Sequence, residues 1–491
     1  MKKRVIIIGG GIGGLGAAML LAANGHDVQI FEKSARPGGC CQPHICQDFT
    51  INMGADFLSS PTILQEIFTK AGKDISNKIN FLPLEPVTRY FDKGKAHFDY
   101  SQNPELMLAQ INAINPQDAE GYLELGRQSR SMLRTNYWEL ASKPFLSLND
   151  SLNLKSDLVR MKTLPHVMEF TAQFIQDDFL RQVFSFHPLM LGGDPRRMTY
   201  FHPYNPLLSE QAPAYYPVGG VTAIINQFLE SLKEMKVEIT CQAEVAEILI
   251  KNYKVNGVRL MDGSMLQADI VISNADVLCT YQNLLPKTYR QPLLNRKLYA
   301  DEFTSSLFVL GLVTDCKFPN SALIHHNVML GEDIWGFSDD IFSKLRLSKD
   351  LVFTMHIPTH LDQTLAAEEH EIIKIIAPVP NQASGLDWKT LSFSFRTRIV
   401  DYLEANFLPD LGEHIIYETY ADPYSFENKF NYHLGAAYSL QPDTDHSFFN
   451  RPCNRDTRIA NLYLVGSGTH PGAGINGVLN SAKIAADLII G

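Results

Sequence analysis

The chain opens on a charged triplet, Lys2-Lys3-Arg4, and then four consecutive apolar positions, Val5-Ile6-Ile7-Ile8. An unbroken β-branched run of that length predicts a strand buried on both faces, as in a parallel sheet. Glycine dominates the next six residues, Gly9-Gly10-Gly11-Ile12-Gly13-Gly14. Leu15 to Asn24 then reads as a helix that stops at Gly25. Asp27-Val28-Gln29-Ile30-Phe31 predicts a second strand, closed by Glu32. Further along, Val221 to about Lys236 has helical periodicity, and Lys236 to Thr240 and Val245 to Lys251 read as strands. Lys254 to Leu260 and Met265 to Asp269 flank Asp262-Gly263 in the manner of a hairpin. Asp269 to Asp276 has an apolar centre and a polar end, the pattern of another parallel strand running into a loop. Near the C-terminus a buried strand (Asn461 to Val465) precedes a glycine-rich loop (Gly466 to Gly477) and a helix that is apolar all round (Val478 to Ile490).

The first unit carries chemistry. Gly9, Gly11 and Gly14 form G-x-G-x-x-G between a strand and a helix. Gly9 permits the tight turn, Gly11 lets a pyrophosphate approach the backbone, and Gly14 lets helix and strand pack closely. The helix N-terminus offers free N–H groups and a positive dipole end to phosphates. Glu32 stands 18 residues beyond Gly14, where it would accept hydrogen bonds from ribose hydroxyls. The complete strand–helix–strand–acid setting points to a bound dinucleotide. The C-terminal strand, glycine loop and helix aim a second helix N-terminus at something electron-rich.

Composition narrows the class. The 491 residues suffice for two or three lobes, and 45% apolar with 20% charged residues describes an ordered globular chain. A net charge of −10 argues against a nucleic-acid partner held through its phosphates. Seven scattered cysteines, an odd number, fit reduced thiols and a cytoplasmic location. Cys40, Cys41 and Cys46 cluster, but without a second Cys or His pair at zinc spacing, so no metal is expected. No stretch approaches the roughly 20 apolar residues of a membrane helix, and no signal peptide is recognised.

Downstream of Glu32, the spacing E-x5-G-G ending at Gly38-Gly39 resembles the extended fingerprint of FAD-binding flavoproteins of the glutathione reductase and amine oxidase superfamily. The chain as a whole resembles the bacterial-type phytoene desaturases, FAD-dependent carotenoid desaturases and their carotenoid-oxidising relatives. The stretches that carry this are Leu180 to Leu189 with Gly192-Gly193-Asp194-Pro195, Tyr216-Pro217-Val218-Gly219-Gly220, Ser273-Asn274-Ala275-Asp276, Ala377-Pro378-Val379-Pro380, Asn454-Arg455-Asp456 and Asn461 through Ile475. Two positions depart from that pattern. Cys40 stands where Arg or Lys is usual, and Asn52-Met53-Gly54-Ala55 replaces Asp-x-Gly-Pro.

The resemblance implies an α/β two-dinucleotide-binding-domain flavoprotein. A discontinuous Rossmann-like FAD domain (1–74, 209–290 and 451–491) would carry an inserted mixed α+β substrate domain (75–208 and 291–450). Expected FAD contacts are Gly9, Gly11, Gly13, Gly14, Glu32, Lys33, Gly38, Gly39, Val245, Gly466, Gly474 and Ile475. The implied reaction dehydrogenates a carotenoid precursor such as phytoene or diapophytoene. Hydride goes to flavin N5, and oxygen or a quinone reoxidises the flavin. Asp178 and Arg181, three apart on a predicted helix, are catalytic candidates, with a plain surface ion pair as the alternative. His187 and His470 are candidate proton carriers or packed structural histidines. Leu158 to Leu191 is either core or an apolar surface through which a peripheral enzyme takes a polyene from the membrane. Other readings are a carotenoid oxidase or ketolase, an amine or protoporphyrinogen oxidase, and a non-catalytic lipid binder on the same fold.

Overall fold

Val5, Ile6, Ile7 and Ile8 are all buried because their strand, Arg4–Ile8, lies at the centre of a five-stranded sheet. The sheet is parallel throughout, in the order Leu462–Leu464, Ile270–Ser273, Arg4–Ile8, Asp27–Phe31, Glu238–Thr240. One face is covered by the helices Ile12–Ala23, Val221–Glu234 and Ile475–Ile490, whose Leu15, Ile224, Phe228 and Leu479 join one buried cluster with Ile7 and Ile30. The other face meets an antiparallel sheet of Val245–Lys251, Lys254–Leu260 and Met265–Gln267, where Ile248 and Val258 pack on Ile6 and Val271. This is a computed structural model that describes residues 1–46, 48–92, 96–134, 141–144, 165–198, 214–290, 303–442 and 451–491.

A seven-stranded sheet forms the second layer system. Its order is Ile415–Ala421, Ser306–Thr314, Glu371–Val379, Phe353–His356, His326–Met329, Thr88–Asp92, Ala96–Tyr100. All its pairings are antiparallel except that of His326–Met329 with Thr88–Asp92. Side chains alternate across a strand, so Phe308, Leu310 and Leu312 pack beneath the helix Trp388–Asn406. Leu307 and Val309 point the other way, toward the parallel-sheet unit.

Three expectations need correction. The first helix begins at Ile12, inside the glycine run, and the last begins at Ile475 rather than Val478. In both cases a glycine occupies the cap position just before the helix, and the following residues take helical conformation despite their loop-like composition. The apolar stretch from 158 to 191 does not form an exposed patch where it is described. Residues 158–164 lie outside the described residues, and from 165 onward Val167, Phe170, Leu180, Val183, Phe184, Phe186 and Leu189 are buried in one cluster. All seven cysteines are free, and among the described residues no helix is long and apolar enough to cross a membrane.

Candidate functional site

A cavity of about 750 Å³ lies between the carboxyl ends of the parallel strands and the Leu307–Val309 face of the seven-stranded sheet. That volume is in the range of ligand sites, and a crevice outside the carboxyl ends of parallel strands is where open α/β sheets bind ligands. Every residue expected to hold the cofactor lines the cavity except Gly14: Gly9, Gly11, Gly13, Glu32, Lys33, Gly38, Gly39, Val245, Gly466, Gly474 and Ile475. Gly14 instead sits against the Gly9 carbonyl, where a side chain has no room, so its part is packing.

The glycine-rich end is built by the backbone. The Gly9 N–H donates to the Phe31 carbonyl at 2.8 Å, and the Gly38 N–H donates to the Gly10 carbonyl at 2.8 Å, folding the paired glycines over the loop. Glu32 is buried and accepts from the Gly10 N–H at 2.7 Å and the Ser34 N–H at 2.8 Å. Each carboxylate oxygen keeps a further lone pair for a ligand hydroxyl. The helix Ile12–Ala23 has no side-chain cap at Gly11, so its first N–H groups remain available to an anion. A Cβ at Gly11 would stand 2.6 Å from Asn274 Nδ2. The cradle therefore has no room for a side chain at Gly11 while Asn274 keeps its place.

The C-terminal helix adjoins the cradle, its Val478 lying 3.0 Å from where a Cβ at Gly13 would stand, and the rest of the lining is largely apolar. The helix Ile475–Ile490 starts at Gly474, whose φ of +84° favours glycine, and directs its N-terminus into the cavity. Arg451 braces this loop, donating to the Ser467 carbonyl at 3.0 Å and the Leu440 carbonyl at 2.8 Å. Leu307, Val309, Ile376, Phe426 and Phe430 supply the apolar wall. Cys40 faces Tyr432, Sγ to Oη 3.4 Å, and burial pushes its thiol up to about 12. The position that usually carries a cation is thus a neutral thiol. On the wall formed by Met53, Gly54 and Ala55, the Lys374 ammonium donates to the Gly54 carbonyl at 2.6 Å and pairs with Asp56. His356 Nδ1 is 3.0 Å from the same carboxylate. Burial would raise the Asp56 pKa, but Lys374 and then His356 outweigh it and hold it well below the usual carboxylate range.

Asp178 and Arg181 do not line the cavity. They form an i,i+3 pair at 3.2 Å, with the Asp178 side chain 89% exposed. Asp178→Asn is therefore expected to change unfolding free energy by no more than about 1 kcal/mol and to leave turnover at the parent rate. A large loss of turnover with flavin retained would restore the pair to the chemistry. His187 is buried and does not line the cavity, and burial pushes its pKa down to about 3, so it is neutral at physiological pH. His470 is buried outside the lining, and its carbonyl accepts from Asn454 Nδ2 at 2.8 Å.

Asn274, Asp276, Arg451 and the Asp56–Lys374 pair were not among the expected site residues. Asn274 and Asp276 follow the strand Ile270–Ser273 and line the cavity, and Asn274 is the residue nearest to a Cβ at Gly11 and at Gly13. Their sequence signals were the polar end of that strand pattern and their place in one of the stretches that carry the resemblance. For Lys374 there was none, because a lone lysine in an apolar strand carries no local pattern.

Residues 12–490 match the family described as flavin containing amine oxidoreductase. A lycopene-forming phytoene desaturase of Pseudescherichia vulneris is 36% identical over 99% of both chains. A 4,4'-diapophytoene desaturase (4,4'-diapolycopene-forming) of Methylomonas is 31% identical over 99% of this chain and 95% of its own. Among solved structures, a putrescine oxidase triple mutant shares the fold, with a TM-score of 0.68 at 12% identity over 100% of this chain and 99% of its own.

Proposed function

The chain belongs to the flavin containing amine oxidoreductase family, in its bacterial-type carotenoid desaturase branch, and from that premise we propose that it holds FAD and desaturates a C30 or C40 carotenoid precursor. The observation that carries this is the continuity of one cavity. It runs from a glycine cradle and a ribose-type acid, Glu32, to a wall of Leu307, Val309, Ile376, Phe426 and Phe430. A charged cofactor tail fits one end and a hydrocarbon the other. Gly9, Gly11, Gly13 and the helix starting at Ile12 would hold the pyrophosphate, Glu32 the ribose, and the helix starting at Ile475 the electron-rich edge of the ring system. When bound, FAD supplies the two-electron acceptor for hydride leaving the substrate. The chain's own contribution is to orient the polyene, exclude water and avoid competing bases. Burial keeps Cys40 protonated, with its pKa pushed up to about 12, and raises Tyr432 well above its ordinary value. Neither takes up a proton at neutral pH, and the positive charge developing beside a polyene is spread by the polyene itself.

Expression in cells that accumulate phytoene, and in parallel cells that accumulate diapophytoene, tests the reading. Coloured, more desaturated carotenoids in one of them are expected. Unchanged precursor in both, from a protein that purifies with FAD, would defeat it. Gly474→Leu probes the ring end, because it forces a bulky residue into φ +84° at the cap of the cavity-facing helix. It should lower turnover far more than it lowers the unfolding midpoint, and parent-like turnover would sever that helix from the chemistry.

Such a substrate hardly leaves lipid unaided, at about 0.8 kcal/mol per buried CH₂. We therefore place the working protein on a membrane surface, with oxygen or a quinone as the final acceptor. Supporting this are exposed apolar side chains, Phe393 (70% exposed), Ile416, Tyr420 and Tyr424, of which Tyr420 also lines the cavity. With a net charge of −10, attachment should be apolar and persist in high salt. Phe393→Asp is expected to shift the protein from floated liposomes to the soluble fraction. Absence of the parent protein from liposomes at both low and high salt would remove the membrane from the account.

A further inference from the structure

The strand Ser306–Thr314 pairs with Ile415–Ala421 as far as Thr314 opposite Ile415. One step beyond, the Asp315 N–H donates to the His414 carbonyl at 3.1 Å. The Thr314 hydroxyl donates to the Cys316 carbonyl at 2.7 Å and fixes the turn that follows. This end of the ladder brings three unlike donors together. His414 Nδ1 is 2.8 Å from Asp315 Oδ1, and one donor atom from each of Asp315, Cys316 and His414 lies within 4.8 Å of the other two. None of the three lines the cofactor cavity.

From this geometry we propose that Asp315, Cys316 and His414 form a binding site for a divalent transition metal of the zinc type at the rim of the seven-stranded sheet. A tetrahedral zinc with bonds of about 2.0–2.3 Å places its ligand atoms roughly 3.3–3.7 Å apart. The three donors need move by only about an ångström to meet that. Asp315 (51% exposed) and His414 (39% exposed) are free to adjust and open the site to solvent, while the ladder holds their backbones. A thiolate and an imidazole select zinc, cobalt or nickel over magnesium and calcium, which prefer oxygen. Three protein ligands leave the fourth position to water. Glu371, buried, opposite Thr314 in the neighbouring ladder and 2.9 Å from His360 Nε2, stands near Cys316. The ring of Phe318 meets the His414 ring edge-on at 6.2 Å and helps to orient it.

An ion here would clip the first residues of the edge strand Ile415–Ala421 to the end of its neighbour. Thr419, Tyr420 and Ala421 at the far end of the same strand line the cavity, so the clip would firm the wall without touching the cofactor.

Equilibrium dialysis of the flavin-loaded protein against zinc chloride, after chelator treatment, is the test. One zinc per chain is expected in the parent and in a Cys41→Ser control. It should be lost in Cys316→Ser and in His414→Ala, with flavin content unchanged in Cys316→Ser. Cobalt in place of zinc should give a thiolate-to-metal charge-transfer band in the difference spectrum that disappears in Cys316→Ser. Parent protein that takes up no zinc at tenfold molar excess overturns the proposal. So does a Cys316→Ser variant that binds as much zinc as the parent.

Discussion

Gly11→Val is expected to purify colourless, with flavin absorbance absent at any protein concentration and desaturation abolished. The argument rests on space. A Cβ at Gly11 would stand 2.6 Å from Asn274 Nδ2, below any ordinary contact, and the branched valine adds two methyl groups to this crowded position. Asn274 is also the nearest side chain to Gly13, so moving it aside disturbs the next turn of the cradle as well. Loss of the cofactor should come without loss of the fold. Gly11 only caps the helix Ile12–Ala23, and its φ of −70° suits a valine backbone. Far-ultraviolet circular dichroism should therefore match the parent, whereas flavin bound in stoichiometric amount would refute the assignment of this loop to the cofactor.

The second large effect is on stability. Asp56→Asn removes the negative charge facing Lys374, an ammonium only 2% exposed, and leaves it only neutral acceptors, the amide oxygen and the Gly54 carbonyl. Breaking a buried pair from one side costs about 3–5 kcal/mol, to be read in urea unfolding at pH 7. The pH dependence carries a signature. The folded-state pKa of Asp56 is depressed from 3.8, so its contribution is fully present above that value and is lost as pH falls through the folded pKa. The gap between parent and variant should be flat from pH 7 to pH 5 and narrow only in stronger acid. The double variant Asp56→Asn with Lys374→Met should be less destabilised than the sum of its singles, because no charge is left stranded. A single Asp56→Asn within 1 kcal/mol of the parent, or singles that add, would show the pair to be unimportant.

The glycine-rich end of the cavity was legible because its physics is local. A strand, a turn that admits no side chain, a helix N-terminus and an acid at fixed spacing all sit within 40 residues, and the residue types are forced by backbone conformation and close approach. The strands Asp27–Phe31, Val245–Lys251 and Lys254–Leu260 could be bounded to the residue for a similar reason, since turn residues interrupt period-2 or fully apolar runs. The seven-stranded sheet was only a block of mixed character. Its order joins residues 88–100 to residues 306–421, and nothing in either segment records the other. The same limit hid the Asp56–Lys374 pair, 318 positions apart in sequence. Asp178 and Arg181, which do not line the cavity, show the opposite limit. Their spacing correctly set them on one helical face, but spacing does not say whether that face meets a cavity or water.

The five-stranded sheet takes its central strand from residues 4–8 and one edge from residues 462–464, and the helix that closes it, Ile475–Ile490, packs on the helix Ile12–Ala23. On a ribosome adding roughly 5–20 residues per second, synthesis of 491 residues takes about 25–100 s. Through almost all of that time the first helix has Leu15, Ala18 and Met19 made but their C-terminal partners unmade. The half-built unit can neither grip its cofactor nor hide its apolar face. Nascent chains should therefore be clients of holdase chaperones until residues 475–490 have emerged, and flavin supplied before that point should rescue yield no better than flavin supplied after it.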